Sequence, residues 1–301
     1  MTTPAHLRVV PVILLGLLSL GASCSGDADD RAGSGGTGSE GSERPPARSR
    51  VESLEPVDIG ELTGSERRIW VELINDQLSP CGEPISVGRC VAEQRSCRAC
   101  VPAARYLVRL IQEGYERQEI EALYESRYGA STRVELDIEN APSRGSPMAQ
   151  VTIVEFSDFE CPYCGRAHPM LQQVLREFEG RVRLVFLHFP LSNHPHAMPA
   201  ARAAVAAGNQ GRFWEMHDLL FEHQQQLEPE HLDRYAEELG LDMARFRADL
   251  ESSRTQGRIE ANKEMGRAAG VEGTPAIFVN GRRYREPPQQ LAEYLREALD
   301  E

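Results

Sequence analysis

Apolar side chains recur along this chain with two different periods, and the change of period divides it. Ile69, Trp70, Leu73, Ile74 and Leu78 return at three- and four-residue steps, as do Ala104, Leu107, Val108 and Ile111. That spacing keeps them on one helix face. Gly114 interrupts, and Ile120, Leu123, Tyr124 and Tyr128 resume the pattern. Pro102 suits the start of the second of these helices. From residue 134 onward, strands alternate with helices. Val134-Glu135-Leu136-Asp137-Ile138 alternates like a half-buried strand, Val151 to Phe156 reads as a buried one, and Val182 to Phe189 as another. A helix opens at Cys161 and continues through Pro169 to Phe178. Met198 to Gly270 is largely helical, with Ala201, Ala204, Val205, Phe213, Met216, Leu220 and Phe221 marking apolar faces. Asp242 is placed to cap the helix carrying Phe246 and Leu250. Short strands around Ile277 and Tyr284 flank Asn280-Gly281, a strong hairpin signal. A final helix is expected from Gln289 to about Leu299.

The first fifty residues follow neither period. Val9 to Leu20 is apolar behind the weakly basic His6 and Arg8, and is short for a bilayer span. With Gly21-Ala22-Ser23 after it, residues 1–23 read as a signal peptide. Cys24 then resembles the lipid-attachment site of bacterial lipoproteins, although Gly21 stands where such sites usually carry leucine. Residues 24–54 are mostly Gly, Ser, Asp, Glu, Arg and Pro. They bury too little to offset ordering entropy, so a disordered tether reaching roughly 30 Å is expected. Residues 55–130 would form a cysteine-rich helical unit. Residues 131–301 would form a second domain, with a helical insertion over about 195–270.

Of the seven cysteines, removing Cys24 leaves six, an even set that suits disulfide pairing in an exported protein. Cys81, Cys90, Cys97 and Cys100 lie in the helical unit, where three connectivities are open. Their spacing would also permit a zinc site, but an oxidising compartment disfavours it. The hydrophobic share of 41 % suits a globular chain, and the formal charge of −13 argues against nucleic acid as a partner.

The candidate chemistry lies at Cys161-Pro162-Tyr163-Cys164, directly after a buried strand. Two cysteines so spaced can close and open a small ring by thiol–disulfide exchange. A cysteine at a helix N-terminus gains from free N–H groups and the helix dipole, so Cys161 is the expected nucleophile and Cys164 the resolving thiol. Glu155, inside the apolar strand, would have a raised pKa and could exchange a proton with Cys164, unless it is merely an exposed strand-end glutamate. Asp158 and Glu160 read as solvated acids. Thr274-Pro275 precedes a strand; beside the dithiol it would bar metal and free the Thr274 backbone to pair with a client. On sequence alone a trans proline is the commoner case. His168, His188, His194 and His196 fit no ligand template and read as loop and packing residues. No cofactor or metal is called for.

The run Val151-Thr152-Ile153-Val154-Glu155-Phe156-Ser157-Asp158-Phe159-Glu160-Cys161-Pro162-Tyr163-Cys164 resembles the DsbA-like branch of the thioredoxin superfamily. So do Phe189-Pro190-Leu191, His196 with its alanines, Phe213-Trp214 and Gly273-Thr274-Pro275. The resemblance covers about residues 134–301. It implies a thioredoxin fold (α/β) with a helical insertion, preceded here by the small disulfide-containing helical unit. It also implies Cys161 as nucleophile, Cys164 as resolving cysteine, Glu155 as buried acid and a cis peptide before Pro275. Expected partners are exported proteins with free thiols or disulfides, a membrane redox partner that resets the site, and a membrane through any lipid on Cys24. Strongly oxidising members carry His where this chain has Tyr163, so a milder oxidant is expected, nearer roughly −200 mV than −120 mV. Residues 97–129 more faintly resemble the helical thiol reductases of cytochrome c maturation, the CcmH type. That likeness would make Cys97 and Cys100 a redox relay, the alternative being purely structural disulfides. Three functions are thus in view: disulfide formation or exchange, reduction, and non-catalytic client binding.

Overall fold

The computed structural model describes residues 50–129 and 131–300. The expected signal segment, Cys24 and the tether as far as residue 49 lie outside the described residues. The last tether residues do not behave as a tether. Leu54 is 5 % exposed, and the Val51 amide and carbonyl bond the Asn75 side chain at 3.0 and 2.8 Å. Two apolar residues in an otherwise polar stretch suffice to dock it.

Four helices follow: α1 (Gly64–Asp76), α2 (Val87–Ala92), α3 (Cys100–Gln112) and α4 (Arg117–Tyr128). Thr63 and Glu66 close a capping box at the start of α1, satisfying two N–H groups the helix cannot. Gly114, at φ +81°, turns the chain between α3 and α4. Trp70, Leu73, Ile74, Leu107, Leu110 and Tyr124 build one core, and the Trp70 indole N–H donates to the Ala104 carbonyl at 3.2 Å. Truncating a fully buried ring such as Trp70 would cost about 3–5 kcal/mol. The short α2 was not expected from the sequence; six residues hold too little periodicity to announce it.

The remainder forms a five-stranded sheet, in order β1-β3-β2-β4-β5, from β1 (Ser143–Arg144), β2 (Val151–Ser157), β3 (Val182–His188), β4 (Ala276–Val279) and β5 (Arg282–Arg283). Only β2 and β3 run parallel, and α5 (Pro162–Glu177) makes the crossover between them. On one face Val151, Ile153 and Leu184 meet Leu171 and Val174 of α5 and Leu291 and Leu295 of α11 (Leu291–Asp300). On the other, Val154, Phe156, Leu187 and Phe278 meet Phe189 and Val271. Between β3 and β4 lie α6 (Ala197–Gly208), α7 (Phe213–Glu222), α8 (Pro229–Glu238), α9 (Met243–Leu250) and α10 (Ser253–Ala268). Asp242 caps α9 by accepting from the Arg245 N–H. Asn280 and Gly281, both at positive φ, turn β4 into β5.

Residues 134–138 are not a strand. Val134, Leu136 and Ile138 do pack against the sheet core, which explains their alternation, but pairing is limited to a bridge at Arg133 and one hydrogen bond from Val134 to Gly281. The first strand falls instead at Ser143–Arg144, antiparallel to β3.

Charged groups join the helical unit to the sheet domain. Arg109 pairs with Glu286 and Glu297, both at 2.9 Å, and the Tyr106 hydroxyl donates to Glu286 at 3.0 Å. The Arg127 guanidinium lies 3.9 Å from the Tyr294 ring centroid and pairs with Glu297. Burial this deep fixes the relative placement, because leaving either sign unpaired is costly.

Candidate active site

Cys161 is the N-cap of α5, and Pro162 occupies the first helical position, where no N–H is needed. The Cys161 backbone is extended while its carbonyl already accepts from Gly165 at 3.1 Å. Its Sγ lies 3.4 Å from the Thr274 carbonyl, and the Thr274–Pro275 peptide is cis. Both Cys161 and Cys164 are free thiols here, 3 % and 0 % exposed.

The two sulfurs are electrostatically unlike. Cys161 is lowered to about 5: the Cys164 thiol donates to it, which outweighs desolvation, and Thr274 and the N–H groups of Cys164 and Tyr163 add to the effect. Cys164 is pushed well above its ordinary value by burial, by giving its hydrogen bond to Cys161, and by the charge of Glu155. Sheet alternation turns Glu155 to the side of Val151 and Ile153, the α5 side. Glu155 is 2 % exposed and raised to about 7 by desolvation, against the Ser157 hydroxyl that donates to it at 2.8 Å. An exposed strand-end glutamate is thereby excluded.

Tyr163 is 64 % exposed, with the Arg166 guanidinium 4.4 Å from its ring centroid. Tyr163, Arg166, Met170, Pro275 and Tyr284 line a cleft of about 610 Å³ beside the dithiol.

Three groups that matter to this loop carried no sequence signal or were misread. Gln224, from the insertion, donates to the carbonyls of Phe159 and Cys161, both at 2.8 Å. Gly165 admits it, since a Cβ there would stand 2.4 Å from its Oε1. Asp158 is not a solvated acid. It is 1 % exposed and accepts from the Glu160 and Leu191 N–H groups at 2.8 and 2.9 Å and meets His194 Nδ1 at 2.8 Å. Glu160 likewise accepts from the His196 N–H at 2.6 Å. Polar residues just before a Cys-X-X-Cys look like loop in a sequence; only the returning chain after β3 shows what they hold.

His188 is buried against Phe186 and Phe213, and His168 stacks on Phe221. His168, His217 and Asp218 converge within 4.8 Å, but Arg144 already occupies Asp218 at 2.8 Å, so that group is poorly suited to a cation. In the helical unit Cys81 bonds Cys97 and Cys90 bonds Cys100. Cys97 and Cys100 therefore do not form the vicinal exchange pair of a CcmH-type relay, and no thiolate is left there to hold zinc.

A family model described as thioredoxin matches residues 137–301. Among curated proteins, the chain is 49 % identical over 155 residues to the Na(+)/H(+) antiporter NhaA 3 of Salinispora tropica, covering 51 % of this chain and 24 % of that one. It is 49 % identical over 152 residues to NhaA 1 of Salinispora arenicola, covering 50 % and 23 %. The chain thus spans about a quarter of the length of these relatives, and no helix among the described residues is long and apolar enough to cross a membrane. Among solved structures, oxidised BdbD from Bacillus subtilis superposes with a TM-score of 0.52 at 21 % identity, over 56 % of this chain and 98 % of that one, a likeness of fold. A thioredoxin-like oxidoreductase from Silicibacter pomeroyi is 32 % identical, with a TM-score of 0.48, over 54 % and 91 %.

Proposed function

Because the chain belongs to the thioredoxin family, we propose that it is a thiol-disulfide oxidoreductase that forms and exchanges disulfides in extracytoplasmic proteins through Cys161 and Cys164. In the oxidised enzyme a client thiolate attacks Cys161 Sγ. The Cys161–Cys164 bond breaks, its electron pair leaves on Cys164, and a mixed disulfide forms. Cys164 takes a proton, with Glu155 as donor. A second client thiolate then attacks the client sulfur of the mixed disulfide and expels Cys161 as a thiolate. The client gains one disulfide, the enzyme holds two electrons, and a membrane redox partner of disulfide or quinone chemistry removes them.

The observation that carries this reading is the placement of the sulfurs, Cys161 at the N-cap of α5 and 3.4 Å from the Thr274 carbonyl, Cys164 fully buried one turn on, which lowers the first to about 5 and raises the second. At neutral pH Cys161 would be ionised by roughly a hundred to one. That ionisation favours the reduced form and so raises the potential over an unshifted thiol, on the order of tens of mV. A modest oxidant results, in keeping with Tyr163. The paired disulfides Cys81–Cys97 and Cys90–Cys100 support an oxidising compartment. A signal peptide over residues 1–23 and lipid on Cys24 complete the proposal, which puts the enzyme on the outer side of a bacterial membrane. Clients would lie along Thr274 and the cleft beside Tyr163.

Insulin reduction and refolding of reduced ribonuclease test the reading together. Activity in both is expected, with Cys161→Ala inert. A folded protein active in neither would leave only client binding.

A further inference from the structure

The chain leaving β3 runs back along the active-site loop and is bonded to it almost residue by residue. Phe189 N–H donates to the Ser157 carbonyl at 2.8 Å, Leu191 N–H to Asp158 Oδ2 at 2.9 Å, and His196 N–H to Glu160 Oε2 at 2.6 Å. Within this lacing, His194 Nδ1 stands 2.8 Å from Asp158 Oδ2. The Asp158 carbonyl in turn accepts the Cys161 N–H at 3.1 Å. Asp158's carboxylate is fully buried, and its partners are two backbone N–H groups and this imidazole. A buried carboxylate so placed calls for a positive partner, and His194 is the group able to supply one.

We propose that His194, clamped by Asp158, is the electrostatic partner of the Cys161 thiolate, supplying from outside the Cys-X-X-Cys segment the positive charge that Tyr163 does not. The proposal deepens the oxidoreductase reading and rests on it. Burial works against a charged His194, yet its pKa is raised overall, by the hydrogen bond and charge of Asp158, then by the charges of Cys161 and Glu160. Coupling between two titrating groups is reciprocal: what the thiolate does for the imidazolium, the imidazolium does for the thiolate. The charged and titratable groups acting on His194 are Asp158, Glu160 and Cys161, all of the active-site loop. On the insertion, Glu228 pairs with His231 at 2.8 Å. Closing the Cys161–Cys164 disulfide removes the thiolate, so His194 should bind its proton less tightly in the oxidised enzyme.

The test is an NMR titration of the His194 ring in the full protein, reduced and oxidised. The His194 midpoint is expected to fall on oxidation. His194→Gln keeps a side-chain donor for Asp158 and removes the charge. Its Cys161 thiolate should titrate higher, by roughly threefold to tenfold in ionisation constant for a partly exposed pair. The shift should match the one His194 shows between redox states, and exchange activity should persist once pH exceeds the new midpoint. An unchanged His194 midpoint in an active enzyme would overturn the inference, even if the variant failed to fold. A redox-linked His194 in a protein with no exchange activity would instead uphold the coupling and remove the enzymatic reading.

Discussion

Glu155→Gln separates the electrostatics of the buried acid from its role in exchange. The carboxyl is raised from 4.5 to about 7 by burial. Below about pH 4.5 it is protonated folded or unfolded and contributes no pH dependence. As pH rises, the unfolded chain ionises first, so stability falls between about pH 4.5 and 7 and levels off above. Moving the carboxyl from 4.5 to about 7 corresponds to about 3 kcal/mol, undiscounted because the side chain is buried. The substituted amide can still accept from Ser157, but its N–H groups gain no evident partner, which costs about 1–3 kcal/mol at every pH. The difference between variant and wild type should therefore move by about 3 kcal/mol in the variant's favour from about pH 4 to pH 8. Denaturant unfolding of the reduced proteins across that range measures it. Parallel stability curves for the two proteins would refute the buried-acid account. Turnover supplies a second readout: loss of the proton carrier should slow release by Cys164 while leaving Cys161 alkylation intact.

Replacing Cys90 and Cys100 together by Ala should cost about 3 kcal/mol of the helical unit's stability, read by thermal or denaturant unfolding, with insulin turnover preserved. Loss of turnover in a folded variant would restore the relay reading. Arg127→Met keeps the apolar stem among the rings of Tyr106, Tyr128 and Tyr294 but removes one of the two arginines that pair with Glu297, leaving it Arg109. It should destabilise by about 1–2 kcal/mol, and an unchanged unfolding midpoint would show that this ion pair does not hold the helical unit to the sheet domain.

Features set by local chemistry could be read from the chain. Cys161 with Pro162 at a helix start, Asp242 as a cap and Asn280-Gly281 as a hairpin each depend on a few neighbouring residues. Glu155 was readable because a carboxylate inside a run of Val, Ile and Phe has few places to go. Pairing decided by distant partners was not readable. The alternation over 134–138 reports burial, which a packed but unpaired segment shows as well as a strand does. Cys81 and Cys97 find each other only once α2 and α3 are placed. Asp158 reads as solvated because two of its three partners, Leu191 and His194, lie more than thirty residues on. The same holds for Arg109 and Arg127, whose partners Glu286 and Glu297 lie near the far end of the chain.

The most direct test follows the ultraviolet absorbance of the thiolate in the fully reduced protein from acid to alkaline pH, with Cys161→Ser as the blank. A single thiol with a midpoint near 5, lost in the blank, is expected. A midpoint in the ordinary range of about 8.5 would contradict it.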